Sequence, residues 1–407
     1  MVYFAKGWSW LTTGQVVSSV STFVLAIAFA NLIPKETYGT YQFVLSILGI
    51  LTISSLRGMD GAITQAVARG YEGVLIPAIK SKLTWGVIGS MAGVFVSAYY
   101  FLNGNLTLAT IFLISSIFVP VLNSFGIYNS FFEGKKLFKE TVIYGMTSQI
   151  IATIVMISTV FLTNNILIIL SVYLTTWTLL RFFLFIRTIK KFSPNKNHDP
   201  EIISYGKHSS VVNITATLIG SLDSIILFHY LGAAELAVYS FALAPVLQLR
   251  GLFGNIPTLA IPKFASRPIG EINKMLWKRM GLLFVIGIAV ATAYTFIAPI
   301  IFSIFFPQYL DSVILSQVFS FSIALTLGQS IFGAALGSKL TMIPKKYLYL
   351  WNIPSIVLTA SIFILIQYFG AMGVIASRML SLITITAVTY IIWRKISKIE
   401  ELQITSS

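Results

Sequence analysis

Four arginines (Arg57, Arg181, Arg250, Arg378) and one aspartate, Asp223, stand within or at the ends of stretches that are otherwise apolar. A charge at the centre of a membrane helix costs ~2.5–3.5 kcal/mol on the insertion scale, so such residues mark functional or paired positions. A guanidinium stays charged and offers a fork of donors that matches phosphate oxygens. Arg250, in Leu247-Gln248-Leu249-Arg250-Gly251, lies too deep in its stretch to reach either surface easily, and is either a cavity residue or the partner of a carboxylate such as Asp223. Arg57 is either a cavity residue or a helix-end anchor paired locally with Asp60. Arg378 lies a few residues in from the outer face, against the charge rule, and Arg181 reads as an anchor reaching toward the inner surface. Asp223, buried in hydrocarbon, takes up a proton unless a cation is near, so it reads either as an H+ or Na+ coupling site or as a counter-ion. Thr12, Gln15, Ser19 and Thr22 recur at helical spacing, and Asn213 and Thr217 mirror them later in the chain. Such a stripe faces protein or water rather than lipid and suits sugar hydroxyls or interhelical hydrogen bonds. With no cysteine and three scattered histidines, no metal site or thiol chemistry is expected.

These residues must be positioned by membrane helices. The 407 residues are 56% hydrophobic and 10% charged, with apolar stretches following one another along the whole length. About 20 apolar residues cross the hydrocarbon layer, and on that measure the sequence predicts twelve spans, at 10–33, 39–57, 83–102, 106–128, 141–163, 165–187, 209–231, 236–256, 281–306, 311–335, 348–369 and 372–393. The connections leave no room for a soluble catalytic domain. The net charge of +15 does not point to nucleic acid, because 23 of the 28 lysines and arginines fall at one side of the membrane, with Lys35 alone in an opposite connection. That side is the cytoplasm by the positive-inside rule, which places both termini there in a multi-pass protein of the bacterial inner membrane.

The chain also repeats itself. A shift of 198 residues lays Tyr41, Phe43 and Leu45 on Tyr239, Phe241 and Leu243, then Ala62-Ile63 on Ala260-Ile261 and Arg69 on Arg267. The expected organisation is an N-terminal six-helix bundle at 1–187, a polar cytoplasmic linker at 188–207 that meets solvent and anionic lipid, a C-terminal six-helix bundle at 208–393 and a tail at 394–407. Two parallel repeats of even helix number place a cavity between them at midplane.

Short motifs carry a resemblance. Leu32-Ile33-Pro34-Lys35-Glu36-Thr37-Tyr38-Gly39, Phe131-Phe132-Glu133-Gly134-Lys135-Lys136, Pro307-Gln308-Tyr309 and Gly370-Ala371-Met372-Gly373 are similar to turns of the polysaccharide-transport flippases of the MOP superfamily, the Wzx-like O-antigen and exopolysaccharide translocases. Ile33 departs from the glycine usual at that point, which the second half keeps as Gly232. The resemblance implies an all-α fold shared with the MATE transporters and no catalytic residues. The implied cargo is an oligosaccharide on undecaprenyl pyrophosphate, moved from the cytoplasmic to the periplasmic leaflet with other polysaccharide-assembly proteins as possible partners. Arg250, Arg57, Arg378, Gln15, Ser19, Thr22 and Asn213 are then the expected substrate contacts and Asp223 the expected ion-coupling site. The rival readings are a cation-coupled drug antiporter, a lipid II flippase and a polysaccharide polymerase.

Overall fold

The computed structural model describes the chain except residues 1, 198, 200, 213, 255, 266, 340–346, 348, 406 and 407. Among the described residues there are helices and no strands, and nine helices are long and apolar enough to cross a membrane, or ten when one bent pair is counted as a span. In a bilayer every backbone polar group must be satisfied within the protein, which a helix does by itself. The chain is an all-α polytopic membrane protein.

It forms two compact units, Met1–Ile225 and Ile226–Ser407. In the first, α1 (Val2–Leu32), α2 (Lys35–Leu51), α3 (Gly58–Ala68), α4 (Leu75–Leu102) and α5 (Leu106–Leu122) are followed by α6 (Tyr128–Gly134), α7 (Phe138–Leu162), α8 (Ile166–Phe192) and α9 (Ile202–Val212). The long helix α10 (Ile214–Leu252) is broken at Gly232, whose φ of 88° places it in the left-handed region. The second unit continues with α11 (Ile256–Ala265), α12 (Ile269–Phe305), α13 (Ser312–Ser320), α14 (Ser322–Ser338) and α15 (Ile353–Thr405), the last broken at Gly370, φ 55°. These two glycines stand where the sequence places the turns between spans seven and eight and between eleven and twelve.

Several predicted spans are not single rods. The second is α2 and α3, bent by 47° at a 3-10 turn, Thr52–Ser55, and at Leu56, a buried non-glycine residue held at φ 55°. The fourth is α5, a 3-10 turn at Ser124–Ile127, and α6; the tenth is α13 and α14. The third begins earlier, at Leu75, and the ninth at Ile269, because charged turns ahead of the apolar core stay helical.

Two prolines inside spans are compensated by neighbouring side chains. Pro120 has no N–H to give the Ser116 carbonyl, and Ser90 Oγ donates to that oxygen instead. Pro299 likewise frees the Thr295 carbonyl, which accepts from Gln317 Nε2 at 2.9 Å.

The segment expected as a solvated linker is held down within the first unit. Asn195 Oδ1 accepts from the Glu72 backbone N–H at 3.2 Å, its Nδ2 donates to the Gly70 carbonyl at 3.0 Å, and its own N–H donates to Glu72 Oε2 at 3.0 Å. Glu72 also pairs with Lys135 at 2.6 Å. Beyond it α9 packs on α3, where Gly58 lets the backbones meet at Ser210. A sequence of polar residues suggests solvent exposure, but these side chains serve as backbone partners.

Candidate functional site

In the first unit the site is built at two helix breaks. Arg57 follows the strained Leu56 and caps α3, and its Nη2 donates to Thr52 Oγ1 at 3.3 Å. Across from it α5 ends at Leu122, leaving carbonyls without intrahelical partners. Arg181 of α8 turns inward to them, donating to the Leu122 carbonyl and, at 2.6 Å, to Asn123 Oδ1, with its guanidinium 5.1 Å from the Trp177 ring. Both arginines line a cavity of about 170 Å³ together with Gly49, Thr52, Asn123 and Tyr173. Arg181 and Trp177 also border a second space of about 350 Å³, lined by Ser18, Asn129, Thr141 and Gln149. Arg181 therefore stands between two polar spaces and is not an anchor reaching for the surface. Its signal in the sequence is the run Tyr173, Trp177, Arg181, spaced by four on one helix face, which stacks an aromatic ring one turn from the cation.

In the second unit Arg250 lies near the end of α10, half-buried, with its guanidinium 6.0 Å from the Phe319 ring. It lines a cavity of about 330 Å³ with Gly254, Thr326, Gln329, Ser330 and Gly333. Arg378 sits 5.9 Å from the Tyr239 ring in the same unit. Among the lining residues of all three cavities there is arginine but no aspartate or glutamate.

The repeat gives these positions a common origin. Its aromatic anchors are buried in each unit, Tyr41 and Phe43 in one and Tyr239 and Phe241 in the other. The same register sets Thr52 against Arg250. Arg57 is five residues out of register, yet it bonds to Thr52, so each unit brings a guanidinium to the equivalent place by a different residue.

The remaining expected residues are more scattered. On α1 it is Gly14 and Ser18 that line a cavity; Gln15 is exposed and donates to Ser19 Oγ at 3.4 Å, and Thr22 is half-buried. Asp223 is fully buried, with Oδ1 accepting from the Ser224 N–H at 2.8 Å. Asn213 lies outside the described residues, and nothing describes the Thr217 side chain. Asp60 is paired with Lys82 at 2.6 Å, leaving Arg57 to Thr52.

Comparison with solved structures shows which fold this is. The chain superposes on the lipid II flippase MurJ in an inward closed conformation with a TM-score of 0.69 at 14% identity, over 95% of this chain and 89% of that one. It also matches an inward-facing multidrug resistance MATE family transporter of the MOP superfamily, TM-score 0.62 at 12% identity over 96% of each. A third match is a MOP superfamily transporter from Pyrococcus furiosus, described as having a binding pocket of reverse polarity that suggests a different function, with a TM-score of 0.60 at 14% identity over 97% and 96%. At these identities the likeness establishes the fold alone. No curated protein matches the chain in sequence. A family model described as polysaccharide biosynthesis protein matches residues 4–268, more than half of the chain, and on that match the chain belongs to the polysaccharide biosynthesis protein family.

Proposed function

We propose that this protein is a flippase that moves oligosaccharide units on undecaprenyl pyrophosphate from the cytoplasmic to the periplasmic leaflet of a bacterial inner membrane. The observation that carries this reading is the sign of the cavities: arginine lines each of them, and no carboxylate does. A drug antiporter for cations needs the opposite sign. A polymerase needs an outer catalytic loop, whereas connections such as Asn103–Asn105 and Thr163–Asn165 are a few residues long. The lipid II flippase shares the fold and differs in cargo, which leaves the sugar as the distinguishing chemistry.

On this reading Arg250, with Arg57 and Arg378, holds the pyrophosphate, and polar side chains such as Gln15, Ser19, Thr22 and Asn213 meet the sugars while the two halves alternate in access. The cargo head carries roughly two negative charges. With the cell interior negative, moving them outward is favoured by about 4.6 kcal/mol per 100 mV, so the membrane potential is a sufficient drive and Asp223 is not required as a proton or sodium site.

The test is native mass spectrometry of the purified protein. The wild type is expected to retain a lipid-linked oligosaccharide and Arg250→Ala to lose it. Protein that arrives empty and exports cationic dyes instead would rule this function out.

A further inference from the structure

The second unit holds, besides the Arg250 cavity, a groove of about 430 Å³ between α12, α14 and α15 that is apolar almost throughout, with Trp277, Phe284, Phe332, Ile383 and Tyr390 in its walls. The helix α14 divides the two spaces. Its residues Leu325, Gly328, Gln329 and Phe332, spaced three and four apart, face the groove, while Ile323, Thr326, Leu327, Ser330 and Gly333 face the cavity. Gln329 lines both. The rim is aromatic and mutually packed, Trp277 lying 5.3 Å from Phe332 and 5.4 Å from Tyr390. The floor is kept open by Gly328, where a Cβ would touch Phe284 and Met280 at 3.5 and 3.7 Å. A larger side chain would occupy the groove.

We infer that this groove holds the hydrocarbon tail of the same phosphate-headed lipid whose head enters the Arg250 cavity, with Gln329 at the crossing between them. The occupant is fixed by the pairing of a cationic polar space and an apolar furrow on adjacent faces of one helix, which together match one amphiphile. The inference rests on the flippase reading and adds to it a residue set that reads tail length. Physical chemistry also sets what the groove can contribute. A tail is already in hydrocarbon before it binds, so entering the groove gains packing and orientation and little transfer free energy. The groove should therefore act on the rate with which a correctly oriented head is delivered and much less on affinity.

The experiment uses the full chain in proteoliposomes and two fluorescent disaccharide pyrophosphates, one on a long and one on a truncated polyisoprenyl chain. The wild type is expected to move the long-chain cargo about tenfold faster, a ratio equivalent to ~1.4 kcal/mol. Ala387→Phe, at an exposed groove position, and Gly328→Leu, at the floor, should slow the long-chain cargo to the truncated rate and leave the truncated cargo unchanged. That unchanged rate shows the variants to be folded. Leu380→Phe, also exposed on α15 but outside the groove, should behave as wild type. Groove-filled variants that retain the full preference for the long chain would overturn the inference while leaving the flippase reading intact. A wild type that moves neither cargo, with Arg250→Ala no different, would remove the flippase reading and this inference with it.

Discussion

The ion pair between Lys82 and Asp60 should respond very unequally to removal of its two partners. Lys82 is enclosed, its side chain 1% exposed, whereas the Asp60 side chain is 47% exposed, and the two are 2.6 Å apart. Asp60→Asn strands an ammonium among buried groups. Breaking a fully buried pair in this way costs ~3–5 kcal/mol, and the exposure of Asp60 reduces the expected loss to about 2–3 kcal/mol. Lys82→Met fills the same space with an apolar side chain and leaves a carboxylate that water can reach, for which a cost below about 1 kcal/mol is expected. The double variant should lie close to Lys82→Met alone, giving a coupling of roughly 2 kcal/mol. The assay is equilibrium unfolding of the four proteins by SDS titration in mixed micelles, with far-UV circular dichroism as the signal. Equal losses for the two single variants, or a larger one for Lys82→Met, would refute the argument. The pair matters to the site because it fixes the start of α3, the helix that Arg57 caps.

Four further outcomes are expected. At Gly89 a Cβ would run into the Leu51 carbonyl and Ser54 Oγ, so Gly89→Ala should lower stability by about 1–3 kcal/mol in the same titration, while Gly61→Ala, facing open space, should stay within about 0.5 kcal/mol. Arg181→Met leaves the Leu122 carbonyl and Asn123 without their donor and should cost about 1–3 kcal/mol; Arg181→Lys keeps the charge but not the planar fork and should recover only part of it. Asn195→Ala removes the contacts to Glu72 and Gly70, and trypsin should then cleave after Lys196 several-fold faster. In vesicles with a clamped potential, the export of lipid-linked oligosaccharide should rise with an interior-negative voltage and fall on its reversal; transport indifferent to voltage would exclude the potential as its drive.

Much of the fold is legible because hydropathy is a local property. Apolar stretches of the right length became spans, and Gly232 and Gly370 became turns because their backbone needs a region that other residues rarely enter. The breaks inside spans were not legible in the same way. Residues 52–57 and 123–127 are as apolar as the helices around them, and what stabilises the second break is Arg181, far away in the chain. Arg181 itself was misread for a related reason: a lone arginine near a helix end has the same sequence signature whether it reaches out to water or in to an unsatisfied carbonyl. Arg250 was identifiable by depth, since its position in an apolar stretch leaves it no surface to reach. The polar stripe on α1 was found but its orientation was not, because the cavity takes Ser18, one residue and therefore about 100° from Ser19.

The hold of Asn195 on Glu72 and the seating of α9 on α3 mean that the duplicated sequence and the folded units do not share a border. The second copy of the repeat begins near residue 208, but the first compact unit runs on to Ile225. The opening turns of the second copy are thus donated to the body made by the first. A protein cut between Phe192 and Ile202 should accordingly remain one particle: two polypeptides synthesised separately on either side of that cut would be expected to find each other and assemble, with α9 as the piece that docks them.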